Sequence, residues 1–217
     1  MIPLKDIDRI PSRFPAITSL IIAENMLMFL LEMIRGNAFV ERWSLIPSEI
    51  ASGKDLITAV TAMFLHGGLM HIAGNMVFFW AFGPAIEDMM GWAGYAAFYL
   101  LGGLAAFGAQ VALNPGSQTP VLGASGAIAA VMGAFLITFP RDRIRTIVFL
   151  GFFVTTLFVP AILLVGIWFL LQLISEAGTL AESAANGGVA YAAHIGGFIF
   201  GLAFARFFEA GRTGRHI

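Results

Sequence analysis

The chain has 217 residues, 59% of them hydrophobic and 12% charged, with a formal net charge of −1 and a mean hydropathy of +0.86. Soluble domains carry about 25% charged residues, so half the usual polar surface is missing and the composition is that of an integral membrane protein. No basic run offers footing for nucleic acid, and the absence of cysteine excludes disulfides, thiolate metal sites and a cysteine nucleophile.

In chain order, a polar segment of about 1–15 precedes the first apolar run, which ends without a small-x-small cleavage site. It is expected to be a retained span and not a cleaved signal. A span needs about 20 mainly apolar residues. Six segments qualify, at about 16–34, 68–86, 92–113, 122–139, 159–175 and 189–208. Open strands leave backbone groups unpaired in lipid, so the spans are expected to be helices, and no ten-residue alternation suggests a barrel. The connection 35–65 mixes Trp43, Pro47 and several charges, which predicts amphipathic structure at the membrane surface. Pro160 interrupts the apolar run 146–175; the fifth span is placed after it, and 147–158 is expected to be an interfacial or partly embedded loop. A short tail of about 209–217 closes the chain. The expected fold is an all-α, six-transmembrane-helix bundle forming one domain over 1–217.

Six spans put both termini on one side, together with Lys5, Arg9, Arg13, Arg141, Arg143, Arg145, Arg206, Arg212 and Arg215; only Arg35, Arg42 and Lys54 fall opposite. The positive-inside rule makes the termini cytoplasmic, as in a bacterial-type inner membrane. Spans two, four and six then start on the outer side. Their first turns carry His71, Asn75, Ser125 and His194, which places these polar residues at similar depth.

Ser125 sits in Gly123-Ala124-Ser125-Gly126. The glycines let the chain turn sharply into the helix, and the amide of Ser125, at a helix start, lacks an intrahelical partner and could stabilise an oxyanion. The same serine would serve equally well as an N-cap. A neutral His194 within reach could take its hydroxyl proton, or could simply bond a neighbouring carbonyl. Small residues at Ala193, Gly197, Gly201 and Ala205, and at Gly126, Ala130 and Ala134, recur every fourth position. Such stripes permit close helix approach. His71 and Asn75, one turn apart on one face, are suited either to holding an anion or to bonding between helices. His66 is read as shaping the preceding loop through a backbone hydrogen bond.

Taken together, His66-Gly67-Gly68-Leu69-Met70-His71-Ile72-Ala73-Gly74-Asn75, Gly123-Ala124-Ser125-Gly126 and Ala193-His194-Ile195-Gly196-Gly197 resemble the rhomboid intramembrane serine proteases from about His66 to Phe204. The resemblance implies Ser125 as nucleophile and His194 as general base, without an aspartate. It implies an oxyanion or substrate-binding set of His71, Asn75, Gly123 and the Ser125 amide. Glu87 resembles a structural glutamate at the cytoplasmic end of span two, and Gly197 and Gly201 match packing glycines. The substrates implied are transmembrane proteins in the lipid bilayer, cut with no cofactor and no metal, at a site open to the outer side.

Three positions depart from the pattern. Ile57-Thr58 stand where many members have Trp-Arg, and Ala129 stands where an aromatic residue often stacks on the histidine. Glu24, inside span one, is expected to face the bundle or a water-filled crevice. The alternative is a non-catalytic relative that binds transmembrane clients. A transporter has too few charges along its spans, and a zinc protease lacks H-E-x-x-H.

Overall fold

The computed structural model describes residues 1–151, 153–181 and 190–209. Its main helices are α1 (Ala16–Arg35), α5 (Leu69–Leu113), α6 (Ser125–Thr138), α7 (Ala161–Ala181) and α8 (Tyr191–Phe204). The connection after α1 folds into the short helices α2 (Asn37–Trp43), α3 (Pro47–Ala51) and α4 (Thr58–Thr61). By length and composition, Ala16–Arg35, Leu69–Leu113 and Tyr191–Phe208 can each cross a membrane, while Ser125–Thr138 and Ala161–Ile174 are shorter apolar helices.

The second and third predicted segments are the two arms of α5. The helix carries Pro84 and bends at Gly91, whose φ of 72° and ψ of 161° lie outside helical space; such a φ favours glycine. The arms fold against each other through aromatic rings. Phe79 stacks on Tyr95 with centroids 6.4 Å apart and meets Tyr99 at 5.2 Å. Beside the bend, Glu87 accepts hydrogen bonds from the amides of Ile17 and Thr18 (2.9 and 2.8 Å) and from the Thr18 hydroxyl (2.8 Å). A carboxylate thereby satisfies orphan N–H groups at the start of α1.

At the centre is α6. Every residue from Gly126 to Phe135 is buried, as expected of a helix apolar on all sides. It packs closely against α8 and α5. A Cβ on Gly197 would lie 2.1 Å from the carbonyl oxygen of Gly126, and one on Gly201 2.0 Å from that of Ala130. The two predicted stripes of small residues thus meet backbone to backbone.

The expectation of an all-α protein is corrected by a small antiparallel sheet in the order β1-β2-β3, formed by β1 (Ile2–Asp6), β2 (Arg143–Leu150) and β3 (Phe153–Pro160). Residues 147–158, expected as a loop, lie mostly in this hairpin, paired from Arg143↔Pro160 to Leu150↔Phe153. Their β-branched and aromatic side chains favour strand. The N-terminal strand supplies a third partner, with Ile2 opposite Ile147 and Asp6 opposite Ile144. Ion pairs between Asp8 and Arg143 (2.6 Å) and between Arg9 and Asp142 tie the base of the sheet. Arg9 also lies 3.7 Å above the Phe139 ring centroid.

Two smaller corrections concern α1 and α7. Glu24 is exposed on α1, and it is Asn25 that faces inward. The fifth helix runs to Ala181, beyond its expected end near 175. Residues 182–188 of the next predicted connection, 189 at the start of the sixth predicted span, and 210–217 of the predicted tail with Arg212 and Arg215 lie outside the described residues.

The glycine contacts predict that Gly201→Ala, which must push α8 from the Ala130 carbonyl, lowers stability by about 1–3 kcal/mol. Gly166→Ala on α7, where a Cβ meets open space, leaves it unchanged. Thermal unfolding in detergent compares the two. The sheet should also respond to acid in two opposed steps. Burial raises Asp6 from 3.8 to about 6, so its buried charge opposes the fold above pH 6 and is relieved as pH falls through that value. The hydrogen-bonded Arg143 guanidinium holds Asp8 below 3.8, so the stability from that pair is present above 3.8 and is lost as pH falls below it. Protection factors of the β1 amides should therefore peak between about pH 4 and pH 6; a monotonic profile would contradict this.

Candidate active site

The approach to α6 is held from two sides. Val121 pairs with Leu45 through two backbone hydrogen bonds (2.7 and 2.9 Å), and the Gly123 amide donates to the Ala62 carbonyl at 2.8 Å. Gly123 has φ of 127°, a conformation that L side chains rarely adopt. Ala124 is the cap residue of α6, without a side-chain cap bond, and Ser125 is the first helical residue. The serine is therefore one position inside the cap. Its hydroxyl lies 2.7 Å from Nε2 of His194.

His194 is the fourth residue of α8. Close contact between α6 and α8 starts at Gly126, next to the serine, and at Gly197, three residues after the histidine, so the two side chains meet at the same end of the helix pair. The other ring nitrogen, Nδ1, lies 2.7 Å from Oε1 of Gln172 on α7. Both imidazole nitrogens are thus engaged by side chains. Ala129 is buried in α6 and offers no ring. Aromatic neighbours come from elsewhere: Trp168, with centroids 5.9 Å apart and planes at 41°, and Tyr191 at 6.4 Å, edge-on.

His71 lies in the first turn of α5, where the Gly67 amide donates to its Nδ1 at 3.2 Å. A neutral ring that accepts at Nδ1 carries its proton on Nε2. That nitrogen faces Gly123: a Cβ there would lie 3.0 Å from His71 Nε2 and 3.6 Å from Ser125 Oγ. His71, Gly123 and Ser125 therefore border one small space. On the same helix face, the amide nitrogen of Asn75 is buried and has no hydrogen-bond partner among the described residues. An unsatisfied buried donor is costly, and an acceptor supplied from outside the chain would satisfy it.

His66 packs edge-on against His71 with centroids 5.1 Å apart. Its ring nitrogens are buried without partners among the described residues. The bond that shapes the loop comes from its backbone amide, which donates to both carboxylate oxygens of Glu32 (3.0 and 3.2 Å). Among the described residues no group of three or more His, Cys, Asp or Glu could hold a metal ion.

In chemical terms, a hydroxyl in hydrogen-bond contact with an imidazole can be activated as a nucleophile. Side-chain and backbone N–H groups bordering the same space can hold a developing negative charge. Sequence reasoning missed Gln172, Trp168 and Glu32. Gln172 carried a usable signal: it is a lone amide in the apolar stretch Ala161–Ile174 of α7, four residues after Trp168 and hence on the same face.

Residues 53–210 match the Rhomboid domain family. The chain is 31% identical over 193 residues to "Rhomboid protease GluP" of Bacillus subtilis, covering 87% of this chain and 34% of that protein. It is 29% identical over 171 residues to "Rhomboid protein 1, mitochondrial" of Saccharomyces cerevisiae, covering 76% and 45%. Against the human "Presenilin-associated rhomboid-like protein, mitochondrial" it is 37% identical over 95 residues, covering 43% and 25%. The chain spans less than half the length of these relatives. With the family match extending across most of the sequence, and including His71, Asn75, Ser125 and His194, this membrane protein belongs to the rhomboid family.

Proposed function

We propose that the protein is a serine endopeptidase that cleaves peptide bonds in or next to transmembrane segments of other membrane proteins. The observation that carries this reading is the 2.7 Å contact between Ser125 Oγ and His194 Nε2. As Ser125 Oγ attacks a peptide carbonyl, His194 Nε2 takes the hydroxyl proton. The resulting oxyanion is held by His71 Nε2–H, the Asn75 amide and the Ser125 backbone N–H, with Gly123 leaving room for it. The intermediate collapses to an acyl-enzyme as His194 returns the proton to the leaving amine. A water deprotonated by His194 then releases the acyl group and regenerates the serine. No cofactor enters any step.

The same reading makes the fold a six-span bundle with both termini on the cytoplasmic side. Support comes from the pairing of β1 with β2, which gathers Lys5, Arg9, Arg143 and Arg145 at one end of the molecule. The membrane in this reading is a bacterial-type inner (plasma) membrane. Ser125, His194, His71 and Asn75 are all partly exposed at the opposite end, where water can enter. Peptide bonds inside a helix are shielded by their own hydrogen bonds, so a substrate must unwind locally before its carbonyl reaches Ser125.

Purified protein incubated with a transmembrane substrate tests the assignment. Ser125→Ala and His194→Ala should each abolish cleavage while the protein still folds, and Ser125→Ala should abolish fluorophosphonate labelling. Labelling or cleavage that survives in Ser125→Ala would refute the mechanism. Wild-type protein that neither cleaves nor labels would turn the reading to a client-binding relative. His71→Ala should lower kcat by less than the about 10²–10³ that losing one oxyanion donor costs in a soluble serine protease, because Asn75 and the Ser125 amide remain. Labelling of Ser125 should persist in this variant.

A further inference from the structure

We infer that Gln172 is a positioning residue that selects the working tautomer of His194, an inference that rests on the dyad proposed above. A neutral imidazole has one N–H and one bare nitrogen, and a general base for Ser125 needs the bare nitrogen at Nε2. The Ser125 hydroxyl cannot impose this alone, because it can donate to a bare Nε2 or accept from a protonated one. The side-chain amide of Gln172 presents its oxygen, and not its NH2, to Nδ1. A carbonyl oxygen only accepts, so at 2.7 Å from Nδ1 it requires the proton to be on Nδ1. Nε2 is then left as acceptor for the hydroxyl 2.7 Å away.

The surroundings sharpen the dependence. In many serine hydrolases a carboxylate orients the histidine; among the described residues no carboxylate forms an ion pair with His194. No ring follows Ser125 at the fourth position, and the Trp168 ring lies at 5.9 Å and a 41° tilt. It contacts His194 without distinguishing its nitrogens. Gln172 is therefore the group that tells Nδ1 from Nε2. It stands on α7, a different helix from those bearing Ser125 and His194. The packing of α7 against α8 rests on side chains, including Phe169 stacked on Phe198 at 4.2 Å. The tautomer of the base is thus tied to the seating of this helix, and a shift of α7 that separates Gln172 from His194 would release it.

Two measurements on the full-length protein test this. Nitrogen-15 NMR of histidine-labelled protein, assigned by loss of the signal in His194→Ala, should show His194 protonated at Nδ1. In Gln172→Met, which keeps length and approximate volume but removes the acceptor oxygen, that preference should disappear. In Gln172→Glu, which retains an acceptor, it should persist. Kinetics with a transmembrane substrate should show kcat about tenfold lower in Gln172→Met, with KM and thermal stability close to wild type and most of kcat recovered in Gln172→Glu. A wild-type His194 protonated mainly at Nε2, or an Nδ1–H preference unchanged in Gln172→Met, overturns the inference whether or not the protein is a protease. Unchanged kcat in Gln172→Met with a wild-type enzyme that cleaves overturns it as well. Failure of the dyad reading shows up separately, as activity or labelling that survives in Ser125→Ala.

Discussion

The backbone approach of α6 and α8 is the constraint on which the rest of the molecule depends. At Gly126–Gly197 and Ala130–Gly201 there is no room for a side chain between carbonyl and Cα. In lipid, helices gain little from burying apolar surface, so association relies on such close van der Waals fit. The fit also sets the axial register of the two helices. Because Gly126 follows Ser125, and Gly197 lies three residues after His194, the register that seats the glycines brings hydroxyl and imidazole together. One packing solution therefore serves both stability and chemistry.

The other parts of the site are held by different physics. His71 and Asn75 ride on the first arm of α5, whose end at the bend is fixed by Glu87 at the start of α1 and by the Phe79–Tyr95 stack. At its other end, Glu32 gathers the amide of His66, and Gly67 orients the His71 ring. Polar bonds thus fix the first arm of α5 at both ends where glycine contacts fix α6 and α8. Gly166 of α7 meets no neighbour. This helix is joined to the site through the rings of Trp168 and Phe169 and the amide of Gln172.

Much of this was legible in the sequence because a bilayer restricts what a chain can do. Apolar runs must pair their backbone internally, so helices follow. A serine or histidine within them is conspicuous, and a four-residue repeat of small side chains declares a close interface. The same logic applied to Gln172 would have singled it out, but one amide in a helix does not name its partner. Glu24 and Asn25 show the limit more sharply. They are adjacent polar residues in one apolar run, and only packing decides that Asn25 turns inward. The sheet lay beyond reach for a related reason. Ile2–Asp6 is unremarkable until residues about 140 positions away provide a ladder for it.

The sequence by itself determined a helical membrane protein, the residues with chemical capacity, and the glycines that let α6 and α8 touch. These follow from local composition and spacing, which are written along one chain segment at a time. Tertiary structure alone decided that the histidine is met by an amide from α7, that the Asn75 donor is buried without a partner among the described residues, and that the N-terminal segment completes a sheet. Each of these depends on the distance and direction between groups far apart in sequence. No periodicity or spacing along the chain encodes that relation.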